Sequence, residues 1–292
     1  MRCWFIPPLV LIAKGIARLP QSLFLALGAI LSVLFWPVLA SRRRVARINL
    51  SLCFPELDDR ARNKLLRANM RNTVIGALEL LRAWYAPGNT LRGLAEIDGL
   101  DRLRDALAEG HGVLLFTGHF THTELAVRLI SEALGRPVRT VIRRHNSLCL
   151  ETAYETARAK VFGPTIAKKD VRGLLRALQS GEAVTYSADQ NFTYQAVFAP
   201  FFGVPAATLA STSDLVRRSG ARVLPLWFFR DERGRYQIEI AAPWSDWPSE
   251  DRERDAVRYM QELERVVRRH PEQYLWVHRR FKTRPEGMSP VY

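Results

Sequence analysis

The run Gly112–Glu124, GVLLFTGHFTHTE, holds two side chains suited to proton transfer: His119, and Glu124 after four intervening residues. A carboxylate on one imidazole nitrogen fixes the tautomer and raises the basicity of the other. The free nitrogen can then take a proton from a hydroxyl near neutral pH, which is general-base chemistry. On one straight helix that spacing would put the two on different faces, because 3.6 residues make a turn. With His119 in a turn and Glu124 in the first turn of a helix, they can converge. Two other readings of the same residues stand beside this one. His119 can be structural, with Glu124 placed where a helix start favours negative charge. His119, His122 and Glu124 can also be read as metal ligands. However, the two histidines are three apart rather than four and no cysteine cluster is near, so no metal is expected.

The elements that must position these residues follow from periodicity. Gly112–Thr117 is a buried strand, Gly118 breaks it, and an amphipathic helix runs on through Ala126, Val127, Leu129 and Ile130. Val138–Ile142 reads as a second strand ending at Arg143, and Ala183–Ser187 as a third ending at Asp189-Gln190-Asn191. Arg222–Phe229 and Tyr236–Ala242 read as two more, and Gln273–Val277 as a last apolar run. Helices are expected at 57–84, 100–107, 148–160, 170–178, 211–218 and 251–269, and Phe198–Gly203 as an aromatic loop. Strands alternating with helices predict an α/β fold, a mixed sheet flanked by helices, after a helical N-terminal region. Polar residues then stand beyond three strand ends, His119, Arg143 and Asp189, where open α/β sheets place their sites. There is no GxGxxG, Walker loop or GxSxG elbow, which argues against dinucleotide, ATP and α/β-hydrolase chemistry.

Leu19–Ala40 has no charged residue and is long enough to cross a hydrocarbon core of about 30 Å. It is expected to be an N-terminal transmembrane helix. Arg42, Arg43, Arg44 and Arg47 outnumber Arg2, Lys14 and Arg18 on the other side, favouring a cytoplasmic catalytic domain. The expected division is a membrane anchor over 1–41 and a catalytic domain over 42–292, made of a helical part, 42–109, and an α/β core, 110–292. Cleavage after Val38-Leu39-Ala40 is disfavoured by the arginines that follow. A pair of helices lying on the membrane, 4–13 and 19–40, is the remaining alternative. The three cysteines are scattered, so no disulfide is expected and a reducing compartment fits. With 43 Lys plus Arg against 29 Asp plus Glu, net charge is +14, which suggests an anionic partner without choosing one. A nucleic-acid-binding reading rests on charge alone and leaves the apolar segment and the His119–Glu124 spacing unexplained.

The chain resembles the bacterial lipid A late acyltransferases, which have a glycerolipid acyltransferase-like fold. The resemblance is carried by His119 with Glu124 and by Ile142-Arg143-Arg144-His145-Asn146 against the family's Tyr-Arg-Pro-His-Asn. Arg172-Gly173, Gly181-Glu182-Ala183-Val184, Asp189-Gln190 and Phe198-Ala199-Pro200-Phe201-Phe202 follow in order. The closing block, 271–285, PEQYLWVHRRFKTRP, is the most specific. Arg144 departs from the family's proline, and Asn191 stands where an acid is common. The resemblance implies an O-acyltransferase without cofactor, single-pass in the bacterial inner membrane. It implies transfer of a fatty acyl chain from acyl carrier protein to a hydroxyl of a lipid A precursor, or alternatively of a related membrane lipid, at an anionic membrane surface, with no nucleic acid involved. It makes His119 and Glu124 catalytic, with Glu124 orienting His119. Arg143, Arg172, Asp189 and Gln190 become substrate-binding, Asp189 orienting Arg143 or the acceptor.

Overall fold

The computed structural model describes residues 3–292; Arg2, counted above in the basic flank, lies outside them. Two short apolar helices come first, α1 (Ile6–Ala17) and α2 (Gln21–Leu34). Next are α3 (Ala40–Cys53) and the long α4 (Asp59–Tyr85), whose first turn is capped by Asp58 accepting from Ala61 N at 2.6 Å. After the single turn α5 (Gly88–Leu91), strands and helices alternate: β1 (Ala95–Asp98), α6 (Leu100–Ala108), β2 (Val113–Thr117), α7 (Thr123–Leu134), β3 (Arg139–Ile142) and α8 (Leu148–Phe162). They continue through β4 (Ile166–Ala167), α9 (Val171–Gln179) and β5 (Ala183–Ser187) to a hairpin, β6 (Ala196–Phe201) and β7 (Val204–Leu209). The chain closes with α10 (Thr212–Ser219), β8 (Arg222–Arg230), β9 (Tyr236–Ile240), α11 (Arg252–Val267) and a 3₁₀ turn at Pro271–Gln273.

Seven strands form one mixed sheet in the order β1-β9-β8-β2-β5-β3-β4. β2 is central, parallel to both β5 and β8, and all five of its residues are buried. Only β8 and β9 pair antiparallel in this sheet. The α/β fold with helices flanking a mixed sheet is therefore as the periodicity indicated. The aromatic run at 198–203 is not a loop but the latter part of β6 and the turn of the β6–β7 hairpin, made by Phe202 (φ 53°) and Gly203 (φ 73°). Two positive φ angles are what a two-residue hairpin turn requires.

The transmembrane helix is not there. Pro20 ends the first apolar stretch and caps α2, and α2 stops at Leu34, ahead of Trp36-Pro37. Its 14 residues rise about 21 Å, short of a bilayer core. Among the described residues no helix is long and apolar enough to cross a membrane. The single-pass inner-membrane topology falls with it. The two helices instead fold against α4. Gly28 packs so closely that a Cβ there would sit 2.6 Å from Ile75 Cγ1. Phe24 is fully buried, with the Arg82 guanidinium 3.8 Å over its ring. Arg82 also donates to Leu19 O, and Gln21 to Gly234 O at 2.6 Å, latching the pair onto the body. The outer faces stay bare: Leu9, Leu11, Ile12, Leu23, Ile30 and Val33 are exposed.

A second correction concerns sulfur. Cys3 and Cys149, separated by 146 residues, form a disulfide joining the N-terminus to α8, and Cys53 is buried and free. The case for a reducing compartment rested on the absence of such a bond.

Candidate active site

The parallel pairing of β2 with β5 puts Thr117 opposite Ser187. His119 and Asp189 each stand two residues beyond these partners, so two neighbouring strands deliver them side by side at their carboxyl ends. Asp189 is 1% exposed. Its Oδ1 lies 2.5 Å from His119 Nδ1, and its Oδ2 accepts the His119 main-chain N–H at 2.9 Å. Oδ2 also accepts the Tyr274 hydroxyl at 2.8 Å. Burial alone would push this carboxyl up. The His119 charge, its two N–H groups and the Tyr274 hydroxyl outweigh burial and hold it well below the usual carboxylate range. An ionised carboxylate only accepts, so Nδ1 carries a hydrogen, and in the neutral ring the lone pair is then on Nε2. The His119 side chain is 33% exposed.

Glu124 is not the partner of His119. The α7 helix that carries it packs against α4 and α8, and both supply its partners. Arg158 of α8 donates to Oε1 at 2.9 Å and to Oε2 at 3.3 Å, and Trp84 Nε1 of α4 donates to Oε2. The Arg158 guanidinium lies over the Trp84 ring, 4.7 Å from its centroid. A carboxylate in the first turn of a helix that leaves the sheet thus looks sideways, toward neighbouring helices. The three side chains of the metal reading do not converge. His119 turns to Asp189, Glu124 to Arg158, and His122 is buried against Phe228 and Tyr236. No cluster of three or more metal-ligand side chains occurs among the described residues.

The other predicted residues spread around this pair. Arg143, just past β3, and Arg172, in the first turn of α9, are both exposed. Asp189 does not reach Arg143; its oxygens are taken by His119 and Tyr274. Gln190 offers its carbonyl to the buried Arg280 at 3.4 Å, and Asn191 N donates to His278 Nε2 at 3.2 Å. Burial, then the nearby His119 charge, holds His278 down to about 4.

Sequence reasoning missed what closes the site. The C-terminal run 273–277 is not a sheet strand; it lies along the His119 turn. Thr121 N donates to Gln273 O at 2.9 Å, Leu275 N to His119 O at 3.0 Å, and Phe120 bridges Tyr274. Two buried asparagines fix this segment from behind. Asn69 Nδ2 of α4 donates to Glu272 O and Tyr274 O at 3.0 and 2.7 Å. Asn49 Nδ2 of α3 donates to Trp276 O and His278 O at 2.7 and 2.8 Å. The only sequence signal for this was polar residues at buried helical positions. Gly76 of α4 lets the turn approach: a Cβ there would lie 2.3 Å from Thr121 O.

Residues 2–283 match the family model described as bacterial lipid A biosynthesis acyltransferase. The chain is 34% identical over 279 residues to the lipid A biosynthesis palmitoleoyltransferase of Escherichia coli K12, covering 94% of this chain and 90% of that one. It is 32% identical over 280 residues to the lauroyltransferase of the same organism, covering 95% and 91%. It is 26% identical over 256 residues to its myristoyltransferase, covering 86% and 79%.

Proposed function

The chain belongs to the bacterial lipid A biosynthesis acyltransferase family, and we propose that it moves a fatty acyl chain from acyl carrier protein to a hydroxyl of a lipid A precursor, with His119 as general base. The observation that carries this reading is the bond between Asp189 and His119 Nδ1. It leaves Nε2 as the basic nitrogen of a partly exposed side chain beyond the central strand. In the proposed step Nε2 takes the acceptor hydroxyl proton as the oxygen attacks the thioester carbonyl carbon. The tetrahedral intermediate collapses, the C–S bond breaks, and the imidazolium returns the proton to the departing thiolate. The products are an ester and the free carrier thiol. Asp189 opposes the imidazolium charge while it lasts. Arg143 and Arg172, exposed beside the strand ends, would meet phosphates of the acceptor. Glu124 acts at one remove, by holding α7 to Arg158 and Trp84.

An anionic lipid surface is the second proposed partner. The bare apolar faces of α1 and α2 support it, as does a chain with no acidic residue before Glu56 but with Arg42, Arg44 and Arg47 exposed.

The test is transfer of a labelled acyl group from acyl carrier protein to a lipid A precursor, run beside acyl-CoA as donor. Transfer by the wild-type protein and its loss in His119→Ala are expected, with acyl carrier protein preferred. Near-normal transfer by folded His119→Ala would sink the base assignment, and equal efficiency with acyl-CoA at low salt would sink the donor.

A further inference from the structure

We propose that Tyr274 is a positioning residue for the reaction: its phenol fixes the Asp189 carboxylate, and through it sets the direction and basicity of His119. The inference rests on the reading of His119 as the base. Asp189 takes three donors on two oxygens, and Tyr274 is the only one that does not come from His119 itself. Without it, Oδ2 keeps only the His119 main-chain N–H, and the carboxylate has no anchor outside the residue it should orient. The phenol has no such freedom. Its ring is 3% exposed and wedged against Phe120, Phe201 and Trp276, with centroids 5.8, 5.6 and 4.8 Å away. Its main chain is pinned on both sides, by the bridge to Phe120 and by Asn69 on its carbonyl. A carboxylate cannot donate, so the hydroxyl must, and the bond shares out negative charge that would otherwise act on the imidazole alone.

The other charged or titratable groups facing the pair are His278 and Arg280 from the same C-terminal segment and Tyr259 from α11. Tyr259 offers an internal control. It is equally buried, but its hydroxyl donates to Thr117 O at 2.8 Å and accepts from Ala188 N at 3.3 Å.

Tyr274→Phe keeps the ring and deletes the donor. A carboxylate with one donor fewer draws harder on the imidazole proton. The acid limb of the kcat/KM profile should therefore move to higher pH, and kcat should fall roughly tenfold while KM for the acyl donor holds. Tyr259→Phe should leave the acid limb in place. Site-specific 3-fluorotyrosine at 274 is a better donor of the same size, and should move the limb to lower pH even where the phenylalanine variant folds poorly. An acid limb that stays at the wild-type position in both Tyr274 variants would overturn the proposal while leaving His119 as base. Wild-type turnover by His119→Ala would instead overturn the reading beneath it, whatever the tyrosine variants do.

Discussion

Asp189 holds His119 by its ring and by its main chain at once. The double grip follows from strand register, since each residue stands two beyond one of the paired positions Thr117 and Ser187. Asp189→Asn should be more damaging than its small change in shape suggests. An amide can turn its NH₂ to Nδ1 and force the hydrogen onto Nε2, the wrong tautomer for a base. Turnover should fall by at least about 10²-fold. Single-turnover acyl transfer measures it, and a rate within a few-fold of wild type would defeat the orienting role.

Glu124 should behave as half of an ion pair. Its side chain is 19% exposed and that of Arg158 12%. Removing either partner strands the other, at a cost on the order of 3 kcal/mol. Glu124→Gln and Arg158→Met should lower the urea midpoint similarly, and the double variant should lose less than the sum. Any loss of activity should come without displacement of the acid limb of the pH profile. An acid limb displaced by Glu124→Gln at unchanged stability would restore Glu124 as the partner of His119.

Acid should weaken the fold through His122. Burial first, with the charges of Arg230 and His270 in the same direction, holds this imidazole down to about 4 against the attraction of Glu79. The unfolded chain takes up a proton near pH 6.5, which the native state refuses until about pH 4. Stability is therefore lost as pH falls across that window. The thermal midpoint should drop from pH 6.5 to 4, and His122→Gln should flatten the slope. A slope unaltered in that variant would place the linkage elsewhere, with His278 the next candidate.

The exposed apolar face of α1 and α2 gives a fourth expectation. Wild-type protein should float with vesicles containing anionic lipid, and Ile30→Asp with Val33→Asp should lose that while keeping the wild-type melting temperature. Both side chains are exposed, at 58% and 72%, so neither change disturbs packing on α4. Flotation undiminished by the two substitutions would remove α2 from the contact.

Much of this site could be read from periodicity. The strands ending at Thr117 and Ser187 and the polar residues after them were visible as turns following buried runs. What periodicity does not carry is strand order. Nothing local says that β5 lies beside β2, so Asp189 had no visible tie to His119, whereas Glu124 stood close in sequence. The apolar stretch 19–40 misled for a related reason. Hydropathy measures composition, but Pro20 and Pro37 decide where a helix can run. Phe202 escaped because a phenylalanine at positive φ contradicts turn preference. Its ring is repaid by packing on Phe54 and Trp276, with Arg268 4.3 Å over its face. The Cys3–Cys149 bond joins positions that only the tertiary fold brings together.

The asparagine clamps tie the first quarter of the chain to its last tenth, and that fixes when the site becomes whole during synthesis. His119 and Asp189 leave the ribosome well before Tyr274, and the α3 and α4 positions that receive the closing segment are out earlier still. Residues 272–278 are thus the last part of this arrangement to be made, and the asparagines they dock on are among the first. Trimming the finished chain back past Gln273 would take away this closure with both His119 and Asp189 still present.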